Sequence, residues 1–457
     1  MLLRLSFAVA LLCAARLAQA SSYADRVQEK TFPNGLKVIV LEDHKAPVSV
    51  MQVWYRVGAR NEIPGQTGLS HLLEHMMFKG TEKVGPEEYS RIVQKNGGND
   101  NAFTSQDVTV YFASIASDRL SVVVDLEADR MQNLRLAREV FDPERAVVLE
   151  ERRLRTEDNP TSALYEAIGA AAFTAHPYGW PVIGWMSDIE GASADDAMAY
   201  YKQYYKPSNA FIVVVGDANA DDVFTRVEKA FGGIPASPPP PPMRSVEPEQ
   251  KGERRVVLRK EAELPVVGIA YHTPIASHPD SAALQVLASL LSDGQSSRLY
   301  RDLVYTKQIA RSVGASYDRE SKDPALFFVY GQPLPGKKVA DLEKALLAEL
   351  EEMKTKPASA KEMEKVKNSL EAEFVFAQDS LYYQAMLLGQ YETMGDWRQL
   401  DQFLPSIRAV TPEDVQRVAR TYLTAENRTV GILDPLPVKG DAGQAAPAAP
   451  PAGGLVH

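Results

Sequence analysis

The sequence predicts an α+β fold made of two similar domains, each a mainly antiparallel sheet packed with helices. Three observations lead to this prediction. The chain has 457 residues, which is more than one hydrophobic core usually organises. A proline-rich segment lies near its middle, and the two halves resemble each other. Strand-like runs are interspersed with amphipathic helical patterns such as PASAKEMEKVKNSLEAEFVFAQ, a mixture typical of α+β domains.

The proline-rich segment GGIPASPPPPPMRSVEPEQKGERR at 232–255 combines a proline run with charged residues, as expected for a semi-extended linker. It separates a first domain at 21–231 from a second at 256–434. The first half ends in SADDAMAYYKQYYKPSNAFIVVVGD and the second in TPEDVQRVARTYLTAENRTVGILD, each typical of a capped helix, a turn and a buried strand. Their openings also match, and each predicts two strands followed by a helix. This internal similarity indicates duplicated domains.

The N-terminal segment MLLRLSFAVALLCAARLAQA has a basic residue ahead of an apolar run and a small-x-small site ending at Ala20. Residues 1–20 are therefore predicted to be a signal peptide, which implies a periplasmic or secreted protein. A lipoprotein modified at Cys13 and a mitochondrial presequence are the alternatives. Since Cys13 is the only cysteine, its removal would exclude cysteine catalysis and would suit an oxidising compartment.

The charge and hydropathy of the rest of the chain limit the kinds of partner that the protein is expected to have. The net charge of −10 and the lack of a dense Lys/Arg block argue against a nucleic-acid partner. No apolar segment after the N-terminus is long enough to span a membrane. Residues 435–457, which are rich in Pro and Ala, are predicted to be a disordered tail.

The motif with the clearest chemical meaning is GLSHLLEHMMFKGT, which contains His71, Glu74 and His75. On a helix, residues four apart project from one face, so both imidazoles can reach one cation. A catalytic zinc site uses three protein ligands and leaves one position open to water. Glu74 is suited to take a proton from the attacking water and to pass it to the leaving amine.

Two simpler explanations of this motif are weaker. With 7 His and 60 Asp and Glu in the chain, about 0.01 such arrangements are expected by chance. A structural zinc site is normally closed by four ligands that usually include cysteine, and the predicted mature chain has none. The motif therefore favours a catalytic metal site.

A third ligand has to come from elsewhere, and the segment DPERAVVLEERRLRTED is the best source. Glu144 and Glu151 are seven residues apart and share one face of the predicted helix. Glu150 and Glu151 point in different directions, so only one of them is expected to bind the metal. Taken alone, such a charged helix is more often a solvated surface.

The reversed motif, the downstream glutamates and the duplicated halves together resemble the pitrilysin/insulinase family of zinc metallopeptidases, the inverzincins, and in particular its short, processing-peptidase-like bacterial branch. The resemblance extends from about Thr31 to Asp434. It implies one Zn²⁺ per chain, held by His71, His75 and Glu151.

The same resemblance assigns further roles within the first half. It implies that Glu74 is the general base and that Glu144 supports the site. The segment NGGNDNAFTSQDVTVYF matches the edge strand on which the family binds substrate, with Asn101, Ala102 and Phe103 at the matching positions. Pairing with an extended peptide depends little on its sequence, which suits a broad peptide substrate class. Without the resemblance, this segment would be interpreted as a plain Gly-rich hairpin.

Two segments bear on how far the resemblance extends. HPYGWPVIG at 176–184 also resembles the family, although His176 is interpreted as a turn residue and not as a ligand. In the second domain, the family usually has an Arg and a Tyr seven residues apart, where this chain has Val304 and Arg311. The helix SAALQVLASLLSDG there contains no His, so no second metal site is expected.

The missing Arg and Tyr leave two hypotheses. Either the chain works alone with altered substrate contacts, or a related non-catalytic subunit supplies both groups in a heterodimer. The chain is expected to be a hetero- or homodimer. The predicted function is that of a zinc metalloendopeptidase acting on short or unfolded polypeptides. The alternatives are a non-catalytic assembly subunit and a mitochondrial-type presequence-processing subunit.

Overall fold

The computed structural model describes residues 22–437. The predicted signal peptide and most of the predicted tail lie outside this range. The last strand runs to Leu436, two residues into the segment expected to be tail, because its pairing with a neighbouring strand continues to Leu436 opposite Glu261. Within the described residues, no helix is both long and apolar enough to cross a membrane.

The strands of the described chain form two sheets. They are β1 (Val27–Thr31), β2 (Lys37–Glu42), β3 (Val48–Tyr55), β4 (Asn99–Thr104), β5 (Thr109–Ala116), β6 (Ala210–Gly216), β7 (Arg254–Glu261), β8 (Val266–Thr273), β9 (Ala310–Tyr317), β10 (Ala325–Pro333) and β11 (Arg428–Leu436). The first sheet has the order β1-β2-β6-β3-β5-β4 and the second the order β7-β11-β8-β10-β9.

The two sheets share one topology. Without β1, their strand orders match position by position. Each contains one parallel pair at the same place, β2 with β6 and β7 with β11, and the other pairs are antiparallel. The prediction of two similar α+β domains with mainly antiparallel sheets is confirmed.

The helices follow the strands in a similar order in each half. They are α1 (Tyr23–Arg26), α2 (Leu69–Met76), α3 (Glu88–Lys95), α4 (Leu120–Asn133), α5 (Arg138–Arg152), α6 (Pro160–Ala172), α7 (Met186–Gly191), α8 (Ala194–Tyr204), α9 (Ala220–Phe231), α10 (Ser281–Ser292), α11 (Val339–Thr355), α12 (Ala360–Ala377), α13 (Leu381–Met394), α14 (Phe403–Ala409) and α15 (Pro412–Tyr422). π-Helical turns lie at Arg153–Glu157 and Tyr300–Thr306, and 3₁₀ turns at Ala59–Asn61, Ser117–Arg119, Pro177–Gly179, Pro207–Asn209 and Trp397–Gln402.

Helix α6 belongs to the first half but packs on the sheet of the second half. Its buried Leu164 and Ile168 form one apolar cluster with residues of β8 and β11. Two glycines make room for this contact. A Cβ on Gly268 would lie 2.6 Å from Ile168, and a Cβ on Gly431 would lie 2.3 Å from it. Any larger residue at either position would push the helix off the sheet.

Helix α13 makes the reciprocal contact, from the second half onto the first sheet. There Trp54 of β3 lies against Gly389, where a Cβ would come within 2.1 Å of the indole ring. One face of the first sheet packs on helices of its own half, and the other face joins a core shared with the second half. The two halves therefore exchange helices.

The connection between the halves has no helix or strand from 235 to 253, but hydrogen bonds fix it to the body of the protein. Glu247 accepts hydrogen bonds from the backbone N–H groups of Thr174, Ala175 and His176. Although burial opposes ionisation, these bonds and one from the Thr174 hydroxyl lower the pKa of Glu247 to about 2. Buried Gln250 donates to the Arg428 carbonyl. The second half begins with β7 inside the segment predicted to be linker.

Candidate metal centre

Helix α2, which contains the His-x-x-Glu-His motif, has a tightly fixed start. Gly68 precedes it with a φ of 87°, and a Cβ there would lie 2.5 Å from the Ile183 carbonyl oxygen, so only glycine fits. The buried carboxylate of Glu62 accepts the N–H groups of Gly68 and Ser70, both at 2.7 Å. These contacts satisfy N–H groups that the helix itself leaves unpaired, and they set the position of His71.

The structure brings His71, His75 and Glu151 together, with one potential ligand atom from each lying within 4.8 Å of the other two. Nε2 of His71 is 3.6 Å from Oε1 of Glu151, and Nε2 of His75 is 3.4 Å from Oε2. These distances are long for hydrogen bonds. They are close to the separation of about 3.4 Å expected between two ligands of a tetrahedral ion with bonds of about 2.1 Å.

The donor set also fits zinc, which binds imidazole nitrogen and carboxylate oxygen in catalytic sites. Burial opposes ionisation of Glu151, but the adjacent imidazole of His75 and the charges of His71 and Arg155 lower its pKa to about 2. The carboxylate form needed for a ligand is therefore favoured. The neighbouring Glu150 lies on the exposed side of α5, where it pairs with Arg153.

The second nitrogen of His75 is also engaged. Nδ1 of His75 is 2.8 Å from Oε1 of Glu144, and the other oxygen of Glu144 lies 2.8 Å from the Lys79 ammonium. With Nδ1 donating to Glu144, Nε2 is left as the acceptor that a metal requires. The bond from His75, assisted by Lys79, lowers the pKa of Glu144. In the metal-free chain, the carboxylates outweigh burial and raise the pKa of His75 to about 9.

Glu74 lies beside the ligand group but is not part of it. Its Oε2 accepts a hydrogen bond of 2.5 Å from the Thr104 hydroxyl. Burial raises the pKa of Glu74 although the Thr104 bond opposes this. A buried carboxyl with a raised pKa, next to a metal site, suits a group that takes up and releases a proton during a reaction.

The ligand group and Glu74 line a cavity of about 810 Å³. Asn101, Ala102 and Phe103, the predicted substrate-binding residues, form part of its wall. They belong to β4, which is the last strand of its sheet and pairs with β5 on one side. The Ala102 N–H is bonded to the side-chain oxygen of Asn101 at 2.9 Å. Because β4 is the last strand of the sheet, its other edge has no strand partner within the described chain and faces the cavity.

The remaining predicted residues lie away from this cavity. His176 begins the turn Pro177–Gly179, where its Nδ1 accepts the Tyr178 N–H, and its Nε2 is 3.3 Å from Asp323. Val304 is half-buried in a π-helical turn, and Arg311 is exposed on β9. Among the described residues, all those that line the cavity come from the first half.

Sequence reasoning did not identify three residues of this site. Arg155 lies four residues after Glu151 and bonds to it at 2.7 Å, a contact that the i,i+4 spacing could have indicated. Thr104 lies two residues after Ala102 on β4, so strand alternation places both side chains on the same face of the sheet. On that face, Thr104 bonds to Glu74. Glu62 lies in a loop, and no spacing rule connects it with α2.

The duplicated α+β fold is that of the family that the sequence resembles. The family model described as insulinase (peptidase family M16) matches residues 37–184, and the model described as the peptidase M16 inactive domain matches residues 191–370. The chain therefore belongs to the insulinase family of peptidases, family M16. The predicted family is confirmed.

Similar proteins agree with this assignment. The zinc protease PqqE of Helicobacter pylori is 34% identical, with the alignment covering 91% of this chain and 94% of that protein. An uncharacterized zinc protease of Mycobacterium leprae is 31% identical over 86% of this chain and 88% of its own. The crystal structure of a protease from Helicobacter pylori superposes with a TM-score of 0.87 at 33% identity, covering 90% of this chain and 100% of that chain. Relatives named as zinc proteases support a peptidase role.

Proposed function

We propose that this chain is a zinc-dependent metalloendopeptidase that hydrolyses internal peptide bonds of short or unfolded polypeptides. The observation that supports this best is the group of His71, His75 and Glu151, whose ligand atoms lie within 4.8 Å of one another in a cavity bordered by an edge strand. Zinc held there would supply Lewis-acid chemistry, polarising a carbonyl and making water acidic near neutral pH.

The edge of β4 suggests how the substrate binds. An extended peptide can add to a sheet edge through backbone hydrogen bonds, and the pockets beside that edge select its side chains. The Ala102 N–H, bonded to Asn101 in the free chain, would then donate to a substrate carbonyl. Phe103 lies edge-on to Trp54 with ring centroids 6.1 Å apart, which gives it a fixed apolar surface. Since only an unfolded segment can pair in this way, folded proteins are poor substrates.

Glu74 is the proposed general base. It accepts a proton from the attacking water and donates it to the amine that leaves, so it has to hold that proton between the two steps. Its buried position favours the protonated form, and the hydrogen bond from Thr104 fixes the orientation of the carboxyl. Glu144 supports the reaction by holding His75 through Nδ1.

We also propose that the protein acts in the periplasm or outside the cell after cleavage behind Ala20. N-terminal sequencing of the mature protein from its native cells tests this. A chain that begins at Ser21 supports export. A lipid on Cys13 would indicate a lipoprotein instead. Removal of a longer segment would indicate an organelle presequence, and only that result would fit a mitochondrial-type processing subunit.

A dimer is the proposed working form. The described lining of the cavity comes from the first half, and neither Val304 nor Arg311 contributes to it. A related second chain would supply the Arg and Tyr that the family resemblance leads one to expect, since a second copy of this chain again has Val304 and Arg311 at those positions. Size-exclusion chromatography with light scattering, combined with activity measurements, tests this proposal. Full activity of an isolated monomer would contradict it.

The proposed reaction itself is tested with purified residues 21–457. We expect about one zinc ion per chain and cleavage of a quenched peptide library that stops with a chelator and returns when zinc is added. Mass spectrometry of the products should show cuts inside the peptides. Peptide cleavage that survives complete metal removal would contradict the proposal. Bound zinc without cleavage would favour the assembly subunit, or a requirement for the partner chain.

A further inference from the structure

The carboxylate of Glu151 faces both histidines, one with each oxygen. Oε1 lies 3.6 Å from Nε2 of His71, and Oε2 lies 3.4 Å from Nε2 of His75. A carboxylate in this position can bind a metal ion through one oxygen or through both. Binding through both would occupy a position that a catalytic site needs for water. The contacts around Glu151 therefore decide how open the site is.

One of these two oxygens already has a strong partner. A guanidinium nitrogen of Arg155 lies 2.7 Å from Oε1 of Glu151, the length of a charge-assisted hydrogen bond. Of the described residues that line the cavity, Arg155 is the only arginine or lysine. The two residues are four apart and so project from one helix face.

The backbone that positions Arg155 is itself well anchored. Arg155 lies in the π-helical turn Arg153–Glu157, which follows directly after α5. Arg152, at the end of α5, is buried and makes two hydrogen bonds of 2.9 Å to Glu166 of helix α6. Turns of this kind are frequent at functional sites. The turn is thus held to α6, and the side chain of Arg155 returns to the cavity.

From this geometry we propose that Arg155 is a positioning residue: it holds Oε1 of Glu151, so that Glu151 binds the metal through Oε2 alone and one coordination position stays open. The inference rests on the proposed metal site. An ordinary surface ion pair provides the comparison. Arg153 and Glu150 pair at 3.1 Å on the same stretch of chain, and both are more than half exposed. In contrast, the side chain of Glu151 is only 16% exposed.

Cobalt substitution tests the proposal, because four-coordinate Co²⁺ absorbs visible light more strongly than five-coordinate Co²⁺. The full chain and the variants Arg155→Ala, Arg155→Lys and Arg153→Ala are loaded with cobalt. We expect Arg155→Ala to lose visible absorption and Arg155→Lys to retain most of it. Arg153→Ala, the matched control with a similarly exposed arginine, should equal the wild type. Thermal melting of each loaded variant checks that it is folded.

Zinc affinity, measured by competition with a chelator, is the second readout. In Arg155→Ala, affinity should stay equal or become tighter, because the freed oxygen becomes a ligand and a positive charge near the ion is removed. Identical cobalt spectra for the wild type and Arg155→Ala would overturn the proposal. So would zinc affinity weakened about 10- to 100-fold in Arg155→Ala, the usual effect of losing a group that merely orients a ligand. A wild-type chain that takes up neither metal would contradict the proposed function itself, and this inference with it.

Discussion

At the scale of single residues, Glu144 and Glu151 of α5 have different relations to the proposed metal centre. Glu151 faces both imidazoles, and Glu144 bonds to the opposite nitrogen of His75. We predict that Glu144→Gln weakens zinc binding about 10- to 100-fold, because a neutral amide orients and polarises the imidazole less than a carboxylate does. Chelator competition measures this. Glu150→Gln on the exposed side of the same helix is the control, and equal affinities in the two variants would contradict the prediction.

How far the sequence predicts the site depends on whether its parts share one element. His71, Glu74 and His75 lie on one helix, so their spacing alone indicates a common site. The choice between Glu150 and Glu151 could not be made from spacing, and it relied on the family resemblance. Contacts between elements, such as Glu62 with α2 or Thr104 with Glu74, depend on how the chain folds back, and local patterns do not encode this.

At the scale of elements, the exchange of α6 and α13 is the feature on which the packing depends most. Ile168 is 1% exposed and lies against Gly268 and Gly431. We predict that Ile168→Ala lowers the free energy of unfolding by about 2–4 kcal/mol, because it leaves a cavity that two glycines cannot fill. Urea denaturation measures this. The control is Val257→Ala on β7, where the side chain is 54% exposed, and equal midpoints for the two variants would contradict the prediction.

The elements themselves were largely predictable from sequence, but their partners were not. Each half contains two strands followed by a helix, as the matching openings indicate. In the first half, β2 and β3 precede α2, with α1 and β1 ahead of them, and in the second half, β7 and β8 precede α10. The exchange could not be predicted, because an amphipathic pattern shows that a helix has a buried face but not which sheet covers it. The end of the connection differs from the predicted linker for a similar reason. Pairing with β11 draws β7 back to Arg254.

At the scale of the whole molecule, each sheet depends on a helix from the other half. Residues 21–253 expressed alone would leave an apolar face of the first sheet uncovered, and α6 would have nothing to pack against. We predict that this fragment binds a hydrophobic dye and melts without a cooperative transition, and that co-expression with residues 254–437 restores the transition. Circular dichroism and dye fluorescence measure both effects. A monomeric first half with a sharp melt would contradict the exchange as a source of stability.

The central claim, that this chain is a metal-dependent peptidase with Glu74 as its base, is tested most directly by comparing Glu74→Gln with the wild type. Zinc content and cleavage of a quenched peptide are measured on the same samples, with Glu150→Gln as the control. We predict about one zinc ion per chain in all three proteins, and a kcat lowered about 10²- to 10⁴-fold in Glu74→Gln alone. A Glu74→Gln variant that cleaves at the wild-type rate, or a wild-type chain without zinc, would contradict the claim.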